Sequence, residues 1–342
     1  MIIKYGKSVA DIKSSKQKYF DDNLLLVEAQ NESAEIYKKQ PARLKCKNCK
    51  ADILESIKYE SHGLEYVICK SCGHVQGLFE ETAEYSNYMY SSSNYGKYMY
   101  ASEEEQSIYD NRVDLVYKPK ADFLVEVLDE ENDALSVLDI GGGAGFFVSA
   151  CSDLGIVAHG VDMSQTEVEY GNTYLHRIDG SKLELIQPEE LLDIIKNTTA
   201  NVISAIGVLE HLIDYHSIFT AVKQNRNIKY FYIMVPTFGL SNVLETLTPD
   251  VYNRHLGGPH THVFSTESIG YLCHKYQMEM MGEWKFGTDI LDLYRMCMTK
   301  NNKQFGEVIH KKFYECIDEM QLVLDKHDFS SEVHFILKTN NL

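Results

Sequence analysis

Four thiols fall as two tight pairs, Cys46-x2-Cys49 and Cys69-x2-Cys72, with 19 residues between the pairs. Each pair offers two thiolates from one tight knuckle, and this spacing is a tetrahedral donor set for Zn2+. Four sulfurs close the coordination sphere, so the expected metal is structural rather than catalytic. A redox dithiol is the weaker reading, because two such pairs stand in one short segment. So small a ribbon cannot bury enough apolar surface to fold alone, so metal binding would supply its folding free energy. Cys151, Cys273, Cys297 and Cys316 are scattered and read as small hydrophobes.

A second cluster runs Val137-Leu138-Asp139-Ile140-Gly141-Gly142-Gly143-Ala144-Gly145, an apolar strand entering a glycine-rich turn before a helical Phe146-Phe147-Val148 run. Such glycines permit a tight turn and close approach of backbone to ligand. Alone, the run also suits a structural turn or a dinucleotide site. Asp139, two positions before the first glycine, sets a carboxylate where a cationic ligand would lie. S-adenosylmethionine brings an ammonium and a sulfonium to such a turn, whereas a pyrophosphate seeks helix-terminal N–H groups. The next strand ends in Gly160-Val161-Asp162, with a carboxylate placed for a ribose diol or for capping the segment that follows. The fourth strand runs into Gly207-Val208-Leu209-Glu210-His211-Leu212, at the carboxyl edge where open α/β sheets bind ligands.

Over residues 121–283 these motifs resemble the class I S-adenosylmethionine-dependent methyltransferases. The resemblance implies that Asp139, Gly141 and Gly143 line the methionine moiety, with Gly145 and Gly207 part of the same cofactor site. It implies that Asp162 holds the ribose hydroxyls, that Met163 flanks the adenine, and that Gln187 lies by the adenine amine. Family members often carry aspartate where Gln187 stands.

Over residues 42–283 the thiol quartet, Cys72-Gly73-His74-Val75-Gln76, Tyr88-Met89-Tyr90-Ser91-Ser92 and Gly207-Val208-Leu209-Glu210-His211 resemble the zinc-dependent sugar methyltransferases of deoxysugar biosynthesis. The implied acceptor is a small sugar-like molecule, nucleotide-linked, methylated at oxygen or carbon. His262, His211 and His260 are the candidate bases, the first two favoured, and Tyr88 and Tyr90 would position the acceptor. Thr261 stands where the sugar C-methyltransferases have glutamate, and the chain ends before their large third domain, so the atom receiving the methyl group stays open. Arg254 and His255 suit either a diphosphate clamp or a surface salt bridge. Two alternatives are a zinc-ribbon RNA methyltransferase and a non-catalytic cofactor-binding assembly protein.

Strands are predicted at 136–140, 157–161, 183–186, 202–206 and 230–235, alternating with helical patterns. The expected fold class is therefore α/β, a Rossmann-like sheet with a small N-terminal zinc ribbon and a short C-terminal extension. The expected order is an arm (1–41), the ribbon (42–83), a Tyr-rich linker and helix (84–120), the cofactor domain (121–283) and the extension (284–342). Leu24–Val27 is expected to dock on the body, Ser102-x-x-Glu105 to form a capping box, Pro119 to open a helix running to about Glu130, and Glu315–Met320 to be helical. A net charge of -17 opposes broad nucleic-acid binding. No apolar run is long enough to span a bilayer and no signal peptide is evident, so the expected partner is a small molecule and the expected compartment the cytoplasm.

Overall fold

A computed structural model describes residues 1–8, 20–89, 105–252, 256–257 and 260–340. Among these, the strands are β1 (Ile2–Tyr5), β2 (Ile57–Ser61), β3 (Leu64–Ile68), β4 (Val75–Gly77), β5 (Ser136–Ile140), β6 (Val157–Asp162), β7 (Lys182–Leu185), β8 (Val202–Ile206), β9 (Tyr230–Pro236), β10 (His262–Val263), β11 (Met278–Lys285) and β12 (Glu332–Thr339). Eight of them form one sheet in the order β1-β11-β12-β9-β8-β5-β6-β7. The pairings from β7 to β9 are parallel, while β12 runs antiparallel to both β9 and β11. Alternate residues feed two cores. Leu138, Ile140, Ile203, Phe231 and Ile233 fill one, against the helices Leu191–Asn197, His216–Gln224 and Thr266–Tyr276. Val137, Ala158, Val202 and Tyr232 fill the other, against Lys118–Leu128 and Phe146–Asp153. Burial on both faces explains the nearly continuous apolar runs of these strands.

The C-terminal residues do more than extend the sheet. β12 is inserted between β9 and β11, and the intervening helices Asp289–Lys300, Lys303–Tyr314 and Ile317–Lys326 pack through Ile290, Leu291, Tyr294 and Ile317. A helix across Glu315–Met320 is not continuous: Glu315 ends one helix and Cys316 precedes the next. β1 adds a parallel edge strand to β11, which the sequence did not announce.

A second sheet, in the order β10-β4-β3-β2, carries the cysteine ribbon. His62 and Gly63 turn β2 into β3 with φ of 49° and 69°, the left-handed pair that a two-residue hairpin needs. Helix Asn23–Tyr37 covers this sheet by packing Leu26, Ala34 and Tyr37 against Leu64, Tyr66 and Val75. Only part of the expected Leu24–Val27 patch docks, since Leu24 and Leu25 remain exposed.

The expected capping box is corrected. Glu105 is the extended residue before helix Gln106–Arg112 rather than a member of its first turn, and its side chain makes no cap bond; Ser102 lies outside the described residues. A π-helical turn, Val113–Tyr117, leads directly into Lys118–Leu128, with Pro119 in the first turn as expected. That helix stops before Glu130 because Asp129 adopts a left-handed conformation, φ 50°. Among the described residues, no helix is long and apolar enough to cross a membrane.

His334 in β12 is fully enclosed by Trp284 and Phe286 and bonded to the Tyr232 hydroxyl at 2.7 Å. Burial pushes its pKa down to about 3. The unfolded chain therefore binds a proton that the folded chain refuses, and stability falls as pH drops below about 6.5 toward 3. Replacing both partners, in His334→Phe with Tyr232→Phe, is expected to flatten the pH dependence of the urea midpoint between pH 7 and pH 4; an unchanged slope would refute this assignment.

Candidate active site

The strand order reverses between β5 and β8, which opens a crevice at their carboxyl ends. Asp139 lies in this crevice opposite Gly160 on one side and Ser204 on the other. Its carboxylate accepts a 2.6 Å hydrogen bond from Ser204, yet burial, aided by Asp162, pushes its pKa up to about 7. A buried carboxylate so short of compensation suits an incoming cation. Asp162 accepts from the Gly143 amide at 2.8 Å and from the Ser164 amide at 2.7 Å. The cap of the following helix is instead Ser164. Each Asp162 oxygen keeps a second lone pair for a hydroxyl donor.

The glycines divide by environment. A Cβ on Gly143, whose φ is 54°, would meet nothing within 4 Å, so the loop presents bare backbone to open space. At Gly145, φ 72°, a Cβ would meet Leu175 at 2.7 Å; close packing of the turn on its neighbours requires that glycine. Gly141 packs against Val208, and Gly207 is held by its amide bond to the Met234 carbonyl. Met163 is exposed after β6, available to an aromatic face. Gln187 is exposed and caps the 3-10 turn Pro188–Glu190. The sequence reading missed Ser204, hidden in an apolar strand, and also Tyr117 and Lys120. The Lys120 ammonium lies 4.5 Å from the Tyr117 ring centre, and its charge acts on Asp139.

Beyond the crevice is a cleft lined by Lys47, Glu81, Tyr85, Ser86, Glu210, His211, Ile213 and Thr261. Glu210 and His211 come from the 3-10 turn after β8; the other side is the ribbon and the helix Ala83–Met89. Glu81 accepts hydrogen bonds from Arg43 (2.5 Å) and Thr261, and pairs with Lys47 at 3.2 Å. Burial favours the protonated form of Glu81, but Lys47, Arg43 and Thr261 outweigh it and hold the pKa below 4.5. Burial pushes Lys47 down to about 8 against the pull of Glu81. His211 and His260 lie together, ring centres 4.7 Å apart. His262 is fully buried between His74, Tyr215 and Phe264, and burial holds its pKa well below 6.5. Alternation along the strand accounts for this: Thr261 faces the cleft, so its neighbour His262 does not. Tyr88 is half-buried one turn after Tyr85, which is the tyrosine that lines the cleft. Tyr90, Arg254 and His255 lie outside the described residues. A hollow lined by Asp129, Glu130, Glu131, Asn132 and Gly155 lies at the opposite edge, where the strands begin.

The quartet assembles as the spacing predicts. Cys46 and Cys72 sulfurs are 3.7 Å apart, Cys49 and Cys69 sulfurs 3.6 Å, and all four lie within 4.8 Å of one another. A tetrahedron with 2.3 Å bonds has edges of about 3.8 Å, so this donor set fits Zn2+. The knuckle is also docked on the large sheet's domain. Asn48 donates to the Ser268 carbonyl and accepts from the Tyr215 hydroxyl, while Lys47 reaches the Leu212 carbonyl at 2.8 Å. The thiol cluster thus fixes Lys47, which follows Cys46 directly, in the cleft wall.

A family profile described as Methyltransferase domain matches residues 110–281, half of the chain. The chain belongs to this family. Together with a sheet in which one antiparallel strand is inserted next to β9, this makes the protein a class I S-adenosylmethionine-dependent methyltransferase. Among solved structures the methyltransferase is similar to a SAM dependent methyltransferase from Archaeoglobus fulgidus, with TM-score 0.40 and 16% identity over 68% of this chain and 99% of that one. It is also similar to magnesium protoporphyrin IX methyltransferase from Synechocystis PCC 6803 with bound SAH, with TM-score 0.45 and 10% identity over 76% of this chain and 100% of that one. No curated protein sequence matches the chain.

Proposed function

We propose that the methyltransferase transfers the methyl group of S-adenosylmethionine to a small sugar-like acceptor, a nucleotide-linked sugar, held between the Glu210–His211 turn and the ribbon. The cleft lining supports this reading: Lys47, Glu81, Tyr85, Ser86 and Thr261 bring polar groups opposite His211 on the facing turn. Such groups recognise a polyhydroxylated molecule by hydrogen bonds that an apolar ligand could not satisfy. The methionine moiety would lie against Asp139 and Gly143, the ribose on Asp162 and the adenine on Met163. Gln187 joins its turn through backbone groups, and its side chain, which makes no capping hydrogen bond, would reach the adenine amine.

The bound sulfonium supplies both the methyl group and its own leaving group. The protein's residues therefore need to align the acceptor and, for a hydroxyl, take its proton. His211 is the better placed base, half-buried on the cleft wall, whereas His262 is enclosed. The quartet would hold a structural Zn2+ that keeps the ribbon folded over the cleft.

S-adenosylhomocysteine release, followed across nucleotide sugars, free sugars and RNA, tests the acceptor class. Turnover with nucleotide sugars is expected; turnover confined to RNA, or none with any acceptor despite tight cofactor binding, would overturn the reading. Asp162→Ala tests the cofactor half separately. Losing two charge-assisted hydrogen bonds at about 1.5 kcal/mol each predicts roughly 100-fold weaker S-adenosylmethionine binding by calorimetry. Unchanged affinity would exclude Asp162 from the ribose site.

A further inference from the structure

Glu210 and His211 follow one another on the 3-10 turn Leu209–His211, and His260 arrives from the segment just before β10. These two elements are remote in sequence, yet one donor atom from each of the three side chains lies within 4.8 Å of the other two. His211 Nε2 is 4.0 Å from Glu210 Oε1, and the two imidazoles meet at 50° rather than stacking face to face. The Glu210 side chain is 4% exposed, whereas that of His211 is 20% exposed. The carboxylate thus lies at the base of the group and an imidazole at its mouth, beside the cleft.

We propose that Glu210, His211 and His260 form a second metal site, distinct from the thiol quartet, that binds a first-row divalent cation facing the acceptor cleft. Its place there rests on the acceptor cleft described above; its existence does not. Two neutral imidazoles and one carboxylate suit Mn2+, Co2+, Ni2+ or Zn2+, and three protein donors leave coordination positions open on the cleft side. A neutral imidazole has one lone-pair nitrogen, so a cation held there would occupy the His211 nitrogen that otherwise takes the acceptor's proton; the base role given to His211 above belongs to the metal-free site. Ligand pairs on one face of an octahedron are about 3 Å apart, so small side-chain rotations close the present spacing. The neighbouring ammonium does not repel the cation strongly. Lys47 is paired with Glu81 at 3.2 Å, and Arg43 is matched by Glu80 and Glu81. One carboxylate against a divalent ion leaves a net positive centre, which would bind and polarise an oxygen of the acceptor and favour acceptors offering two adjacent oxygens.

Mn2+ is the discriminating probe, because it prefers nitrogen and oxygen ligands and competes poorly for four thiolates. Full-length protein, purified with its quartet metal in place, is titrated with Mn2+ and the free ion followed by electron paramagnetic resonance. One Mn2+ per chain is expected with micromolar affinity, weakened about 30-fold or more by Glu210→Gln and by His260→Ala and unchanged by the surface variant His327→Ala. Retained quartet metal and S-adenosylmethionine affinity report that the variants are folded. Should either variant misfold, electron–nuclear double resonance on the unaltered protein decides: hyperfine coupling to imidazole nitrogen supports the site, and its absence overturns it. No binding at about 1 mM Mn2+, or equal affinity in folded variants, also overturns it. A protein that binds Mn2+ through nitrogen yet methylates no acceptor fails the acceptor reading while retaining this site.

Discussion

Cys46→Ser is expected to abolish methyl transfer while leaving S-adenosylmethionine affinity within about threefold of the parent protein. The two consequences separate because the two sites rest on different supports. Cys46 belongs to the quartet, whose sulfurs lie within 4.8 Å of one another, and structural Zn2+ sites of this kind contribute about 10 kcal/mol or more to the folding of small modules. The apolar support of the knuckle is small: Ile53 and Val67 are buried with the cysteines, and Leu78 and Tyr271 pack against them. Lys47 is carried by the same knuckle, and Glu81 pairs with Lys47, so the cleft wall dissolves with the metal. Asp139, Asp162 and the glycine turn stand on β5 and β6 and keep their partners Ser204 and Ser164. Chelation of the unaltered protein should reproduce the variant. Full activity in a protein shown to contain no metal would refute the structural role.

Glu81→Gln is expected to destabilise the protein by about 3 kcal/mol at pH 7, read from urea unfolding. The substitution keeps the shape and removes the charge that Arg43 and Lys47 share, and both cations have side chains no more than 5% exposed. The loss is chiefly the cost of an ammonium left buried without a counter-charge. Adding Lys47→Met should therefore recover a large part of it; no recovery, or an initial loss below about 1 kcal/mol, would show that the cluster is not coupled in this way. The sign with pH follows from the lowered carboxyl pKa. The stabilisation is complete above the ordinary value of 4.5 and fades as pH falls through the folded-state value.

The parallel strands were readable because each is buried on both faces and so carries an unbroken apolar run; β5 and β8 match their predicted spans. β1 and β10 were not readable, having four and two residues and owing their conformation to the partners β11 and β4. The thiol quartet was legible because metal geometry demands a spacing that is local in sequence. The cleft was legible at Glu210 and His211, on the turn after β8, and at Thr261 in the segment before β10. Lys47, Glu81 and Tyr85 come from the ribbon side and acquire meaning only when tertiary packing brings them opposite that turn. Pattern alone gave His262 the same standing as His211. A strand places successive side chains on opposite faces, and with Thr261 facing the cleft, His262 joins the packed histidine–tyrosine layer.

β10 pairs His262 with Gln76, so the outer strand of the ribbon sheet emerges from the ribosome about 190 residues after the strand it covers. At synthesis rates of 5–20 residues per second, that interval is roughly 10 to 40 s. The four thiols, by contrast, lie close together in sequence and can gather a metal ion early in translation. During the interval β4 has an open edge, the kind of template on which nascent chains pair wrongly. The order of emergence is thus the thiol quartet first, strands β5 to β9 second, the closing strand of the ribbon third, and β11 and β12 of the large sheet last, so the ribbon's edge is covered before the large sheet is complete.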